Sequence, residues 1–211
     1  MPLAKEWLRA SFMPARLDNK GEDMLRIITG SAKGKKIITL EGEATRPTSE
    51  RIKEAVFSSI QFDIENRRVL DLFAGSGQLG LEALSRGADF CMFVDLEREA
   101  LEIVKKNIAV CGFEGKCRHI SSDWRNYIRK AAARERFDLV FVDPPYAMMC
   151  CAEAAKRLAE SGILLKGAIV VLEMGEEVID DAALAELGYE IIKSTQYGKK
   201  TAVKILLFRG E

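Results

Sequence analysis

From Arg68 onward the chain repeats one alternation: a short run of apolar, β-branched or aromatic residues, then a stretch with apolar residues at helical spacing. Arg68 to Phe73, Phe90 to Asp95, Cys117 to Ser121, Phe137 to Asp143 and Ala168 to Glu173 read as buried strands. Leu79 to Arg86, Glu99 to Cys111, Trp124 to Arg134 and Ala152 to Ser161 read as the helices between them. Parallel neighbours need a crossover of a dozen or more residues, so this order builds a mostly parallel sheet with helices on both faces. A helix near Asp181 to Leu187 follows. Tyr189 to Thr195 and Thr201 to Phe208 then lie close enough in sequence to pair as an antiparallel hairpin. That final antiparallel strand separates this α/β sheet from a plain dinucleotide fold.

Ahead of this body, residues 67–211, stand two segments of different character. Residues 24–66 read as a hairpin-and-helix appendage: LRIITGSAKGKKIITL gives two β-branched runs around a glycine-containing turn. Ile52, Ala55, Val56, Ser59 and Ile60 then follow helical spacing, with Thr48 as the expected N-cap. Residues 1–23 mix Trp7, Phe12 and Pro14 with charges and end in a polar run, which reads as a loosely held extension. A chain of 211 residues has room for one large domain and a small appendage.

Lys and Arg number 32 and Asp and Glu 32, so a polyanion would have to be held by a local basic patch rather than by bulk charge. The five cysteines match neither a disulfide framework nor a paired metal motif, which points to reduced thiols in a cytoplasm. His119 is the single histidine, and it sits in a strand-like run, where a structural role is expected of it. No metal site is expected. No apolar stretch reaches the ~20 residues that span a bilayer, and no signal-peptide core opens the chain.

Chemistry enters at Asp71-Leu72-Phe73-Ala74-Gly75-Ser76-Gly77-Gln78-Leu79-Gly80, which ends a buried strand and opens a helix. Glycines there let backbone pass close beneath a ligand where a Cβ would collide. Gly75, Gly77 and Gly80 alone fit the phosphate turn of a nicotinamide or flavin enzyme equally well. Asp71 weighs against that: a carboxylate there repels a pyrophosphate and suits a cationic amino acid moiety, which S-adenosylmethionine carries. Asp95, ending the second strand, can accept both ribose hydroxyls of an adenosine. Asp123 can accept from an adenine amino group, with Trp124 offering an amide or ring contact. Taken singly each aspartate also fits a strand-end turn or a helix cap; three at successive strand ends point to a cofactor.

Directly after the fourth strand stands Asp143-Pro144-Pro145-Tyr146. Pro144 and Pro145 fix the turn, remove two backbone donors and leave the Pro144 carbonyl able to accept. Asp143 and that carbonyl can together take hydrogen bonds from one planar exocyclic NH2 while Tyr146 stacks on its base. Candidate RNA contacts are Arg26, Lys33, Lys35 and Lys36 on the hairpin, Arg46 and Arg51 nearby, and Lys199 and Lys200 on the same sheet edge as the cofactor.

The stretch from Leu25 to Phe208 resembles the RsmD family of bacterial 16S rRNA guanine-N2 methyltransferases. Arg46-Pro47-Thr48-Ser49-Glu50-Arg51, the loop from Asp71 to Gly77, Asp143-Pro144-Pro145-Tyr146 and Tyr197-Gly198-Lys199-Lys200-Thr201 carry the likeness. The resemblance implies a class I, seven-stranded Rossmann-like S-adenosylmethionine-dependent fold acting on a guanine N2 of 16S rRNA in a small-subunit assembly particle. Gln78 stands where that family usually has a small residue, and Met24-Leu25-Arg26 resembles its usual start, which leaves residues 1–23 outside the likeness. Other readings of the residues are a DNA adenine-N6 or cytosine-N4 methyltransferase, a nicotinamide-dependent oxidoreductase, and a non-catalytic RNA-binding assembly protein. The oxidoreductase leaves Asp71 and the Asp143 turn unexplained.

Overall fold

The computed structural model describes residues 25–39 and 47–210, with only the backbone course at 47–49. The expected N-terminal extension and Arg46 lie outside the described residues. Seven strands form one sheet in the order β3-β2-β1-β4-β5-β7-β6. They are β1 (Arg68–Asp71), β2 (Phe90–Asp95), β3 (Cys117–Ser121), β4 (Phe137–Val142), β5 (Leu164–Met174), β6 (Tyr189–Tyr197) and β7 (Thr201–Phe208). The first five run parallel, and β7 is antiparallel to both β5 and β6.

Strand alternation decides what each face buries. Val69, Cys91, Phe93, Leu139, Phe141, Ile169 and Val171 point to one face, and Leu70, Met92, Val94, Val140, Val142, Val170 and Leu172 to the other. Helices α1 (Pro47–Ser59), α2 (Gln78–Ser85) and α3 (Arg98–Cys111) cover the first face, packing Ile52, Val56, Phe57, Leu81, Leu84, Val104 and Ile108. Helices α4 (Trp124–Ala131), α5 (Cys151–Ser161) and α6 (Asp181–Glu186) cover the second. Both faces are thereby covered over the inner strands, as a parallel sheet requires. The expectation of a buried strand from Cys117 to Ser121 needs correcting: β3 is the sheet's edge strand, and Arg118 to Ser121 are exposed.

The glycine-turn segment folds back on itself: an antiparallel bridge, Arg26 to Lys36, and backbone bonds from Ile27 N to the Lys35 carbonyl at 3.1 Å, Gly34 N to the Ile27 carbonyl at 2.8 Å and Ile37 N to the Leu25 carbonyl at 2.9 Å join its arms. Other backbone groups go to the body. Ile28 and Thr29 donate to the carboxylate of Glu82 on α2 at 2.7 and 3.0 Å, and Ser31 donates to the Ser85 carbonyl at 2.8 Å. Glu82 is fully buried and also holds Arg86 at 2.7 Å, so its charge is compensated on three sides. One expectation for this region needs correcting: α1 starts at Pro47, placing Thr48 inside the helix. Proline is at home in a first helical turn, where its missing N–H would have no intrahelical partner.

The fifth strand begins earlier than its apolar run suggested, because Leu164 pairs with Phe137 before a register shift between Phe137 and Leu139. The fourth helix stops at Ala131 rather than Arg134.

Candidate active site

The strand order places a topological switch at β1 and β4: from β1 the chain winds outward to β2 and β3, then returns to β4 on the other side of β1. In open parallel sheets a crevice opens at that point, beyond the carboxyl ends of the strands. The loop following β1 is the glycine loop, and the turn following β4 is Asp143-Pro144-Pro145-Tyr146. Topology therefore brings the two motifs together although about 70 residues separate them in sequence.

Gly75 and Gly77 have φ of 52° and 81°, conformations that side chains rarely adopt. Gly80 serves packing: a Cβ there would lie 2.3 Å from the Phe93 ring and 2.6 Å from Cys91 Sγ. Asp71 is buried and accepts the Gly80 N–H at 3.0 Å, so it braces the start of α2 from beneath the loop. Asp95 stands at the end of β2 and accepts from Gly75 N at 2.8 Å and from Glu97 N at 2.9 Å. Those bonds fix the carboxylate's orientation, and each oxygen keeps capacity for a further donor.

Asp123 caps α4 by accepting from Asn126 N at 3.0 Å. Trp124 has its ring buried, 5.8 Å from the Phe73 ring with the Arg125 guanidinium 4.3 Å above it. Its backbone amide stands at the start of α4, beside Asp123. Phe73 is half-buried and Ala74 buried within the same loop.

Across the crevice, Asp143 is half-buried at the end of β4, Pro144 is buried and Pro145 exposed. The Tyr146 hydroxyl donates to Glu173 Oε1 at 2.9 Å and lies 3.0 Å from Thr201 Oγ1. Burial pushes the Tyr146 hydroxyl's pKa up, and the carboxylates of Glu173 and Asp143 raise it further. It therefore remains protonated, a donor rather than a phenolate, through neutral pH.

A family model described as conserved hypothetical protein 95 matches residues 25–205 of this chain. Ribosomal RNA small subunit methyltransferase D of Haemophilus influenzae is 35% identical over 156 residues, 73% of this chain and 79% of its own. The chain belongs to this family, RsmD. The solved structure of Escherichia coli yhhF superposes with a TM-score of 0.77 at 28% identity, covering 89% of this chain and 99% of that one. SMU.776, solved in complex with SAH, has a TM-score of 0.60 at 13% identity, over 74% of this chain and 49% of its own. That last likeness is one of fold alone, and the fold is the Rossmann-like one of S-adenosylmethionine-dependent methyltransferases.

Within this RsmD chain the basic candidates do not all gather at the crevice. Lys199 and Lys200 do lie on its edge, on the exposed turn between β6 and β7, because β7 runs back from there alongside β5. Arg26, Lys33, Lys35, Lys36 and Arg51 are exposed too. The glycine turn with Lys33, however, packs on Ser85 at the far end of α2, a helix of eight residues or about 12 Å. Lys35 Nζ donates to the Val110 carbonyl on α3 at 2.7 Å.

Sequence reasoning missed Glu173, Thr201, Gly175 and Asn107. Gly175 lies against the Tyr146 side chain, where a Cβ would approach Tyr146 Cβ to 2.7 Å. A carboxylate near the end of β5 and a hydroxyl at the start of β7 were visible in the sequence, but only the β5–β7 pairing puts both beside Tyr146. Among the described residues no group of three or more His, Cys, Asp or Glu is placed to hold a metal ion, and no helix is long and apolar enough to cross a membrane. His119 is exposed on the edge strand β3, opposite Phe93 of β2.

Proposed function

We propose that this chain transfers a methyl group from S-adenosylmethionine to the exocyclic N2 of a guanine in 16S rRNA, in the cytoplasm and on a small-subunit assembly particle. The observation that carries the reading is the meeting of the glycine loop and the Asp143 turn at the switch between β1 and β4, in a chain of the RsmD family. The related methyltransferase D from Haemophilus influenzae bears a small-subunit rRNA name, which supports the same substrate here.

The residues present fit that cofactor. Two left-handed glycines, Gly75 and Gly77, give backbone without side chains at the loop, and Ser76 Oγ is buried there without a hydrogen-bond partner. Asp95, held by Gly75 N and Glu97 N, is the candidate for the ribose hydroxyls, and Asp123 with the Trp124 amide, at the start of α4, is the candidate for the adenine. Asp71 and Asp143 add negative charge around a cationic ligand. S-adenosylmethionine supplies an electrophilic methyl group on a sulfonium.

Everything else falls to the protein. Asp143 and the Pro144 carbonyl accept from the two N–H groups of the target amine, which orients a nitrogen whose lone pair is otherwise delocalised into the ring. As the new N–C bond forms the amine sheds a proton, and Asp143 is its acceptor. Tyr146 offers a stacking face to a base that must leave its RNA stack to enter. The exposed lysines and arginines from Arg26 to Lys36, about one helix length from the crevice, suit RNA phosphates that flank the target rather than the target itself.

The test is incubation of labelled cofactor with bare rRNA, small subunits and duplex DNA, followed by nucleoside analysis. Label in N2-methylguanosine, mostly from particles, is the expected result. Label in N6-methyladenine or N4-methylcytosine from DNA replaces the substrate; no label anywhere removes the enzyme reading.

A further inference from the structure

Asn107 lies on α3, outside every motif, and is completely buried. Its amide is fully used. Oδ1 accepts from Ile38 N at 2.8 Å, and Nδ2 donates to the Ile38 carbonyl at 2.8 Å and to the Ser76 carbonyl at 2.9 Å. A side-chain amide that both donates to and accepts from one residue imitates a neighbouring β-strand, so Ile38 is docked as firmly as if it were in a ladder. The third bond reaches the glycine loop. Ser76 belongs to the peptide that leads into left-handed Gly77, whose own N–H donates to the Ala74 carbonyl at 2.6 Å. Both ends of that peptide plane are thus held, one by the loop itself and one by Asn107.

We propose that Asn107 is a positioning residue that couples the cofactor loop to the N-terminal segment, so that cofactor binding and RNA binding through that segment strengthen one another. The inference rests on the function proposed above. The segment from Leu25 to Ile38 behaves as a unit because the Arg26–Lys36 bridge and the Ile37 N to Leu25 carbonyl bond, at 2.9 Å, tie its arms. It carries Arg26, Lys33, Lys35 and Lys36, and its end is fastened to the same amide that holds Ser76. A ligand that orders the glycine loop therefore lowers the cost of ordering Ile38, and RNA that orders the segment returns the effect, since coupling between two binding sites is reciprocal.

Coupling is read by titrating S-adenosylhomocysteine calorimetrically into the full chain alone and into the chain saturated with small ribosomal subunits. The expected result is about fivefold tighter binding with the particle, within the usual range of couplings, and less than about twofold enhancement in Asn107→Ala. Hydrogen exchange on the unmodified protein provides a second reading if that variant does not fold: the Ile38 amide should exchange at least about threefold more slowly when S-adenosylhomocysteine is bound. Equal enhancement in the variant, or binding without change at Ile38, overturns the coupling while leaving the methyltransferase reading intact. Failure of the unmodified protein to bind S-adenosylhomocysteine at all removes the underlying reading instead.

Discussion

Tyr146 is fastened to Glu173 by its hydroxyl, at 2.9 Å, so the turn after β4 is anchored to the end of the neighbouring strand β5. Thr201, at the start of β7, closes the same contact at 3.0 Å. The ring that is proposed to receive the target base is therefore held by three separate pieces of chain. Tyr146→Phe keeps the stacking face and deletes the anchor, removing one hydrogen bond from a partly buried carboxylate and hydroxyl, which costs about 1–3 kcal/mol. The expected outcome is a lower melting temperature and a three- to tenfold weaker KM for RNA, with cofactor affinity unchanged. Tyr146→Ala removes the face as well, at about 1–3 kcal/mol of base binding. Equal RNA affinity for the tyrosine, phenylalanine and alanine forms in steady-state kinetics contradicts this role.

Asp143 is proposed to serve chemistry more than cofactor binding, because it follows β4 beside two prolines, where it would meet the incoming amine. Asp143→Asn keeps the shape and turns one acceptor oxygen into an NH2 that opposes the target's own N–H, a mismatch of about 1–3 kcal/mol before any loss of proton acceptance. Methyl transfer should fall ten- to a hundredfold while cofactor affinity hardly changes. Single-turnover rates at saturating cofactor, set beside calorimetric affinities, separate the two effects; a normal rate with lost affinity reverses the assignment.

The sheet was legible in the sequence because its inner strands β1, β2 and β4 are buried on both faces and read as continuous apolar runs. So were the two loops that flank the switch point, since Gly75, Gly77 and Asp143 lie next to strand ends wherever those strands go. What the sequence hid was long-range satisfaction of polar groups. Glu82 sits in an apolar helix, LGLEALSRG, and nothing near it in sequence says that it accepts from Ile28 and Thr29. Arg26 to Lys36 reads as a hairpin because β-branched residues around a glycine turn satisfy that pattern locally, and the turn is closed by its own backbone bonds. Its bonds to α2 and α3 show only in tertiary contact. The packing of the Trp124 ring in the core beside Phe73 was likewise not readable from its place next to Asp123.

Asp95 is expected to act twice, through ribose recognition and through its hold on the loop. Its two oxygens accept from Gly75 N and Glu97 N, so Asp95→Ala removes a ligand acceptor and loosens the first glycine together. S-adenosylmethionine affinity should drop at least tenfold, about 1.4 kcal/mol or more. Asp95→Asn retains one acceptor oxygen and should fall between the two. Calorimetry that finds unchanged affinity in a folded Asp95→Ala protein removes the assignment.

The buried carboxylate of Glu82 offers the sharpest test of how the N-terminal segment is held. Ile28 N, Thr29 N and Arg86 Nε all donate to it, and Glu82→Gln confronts at least one of these donors with an NH2. Breaking one side of a buried, compensated charge costs about 3–5 kcal/mol. Limited proteolysis should cut the segment around Ser31 to Gly34 sooner in the variant. A pH dependence follows from Lys53, which is also buried and donates to the Arg26 carbonyl at 3.0 Å. Burial lowers its pKa below the usual 10.5, and Glu82 is the foremost influence holding it up. A lysine whose folded pKa lies below its unfolded value binds fewer protons when folded, so its destabilising contribution is full at low pH and fades as pH rises toward 10.5. Loss of the Glu82 charge depresses Lys53 further and enlarges that contribution. The stability gap between the original protein and Glu82→Gln, measured by urea unfolding, should therefore be widest near neutral pH and narrow as pH approaches 10. A gap that widens with rising pH disproves the electrostatic link between Glu82 and Lys53, and an unchanged cleavage rate disproves the anchoring role.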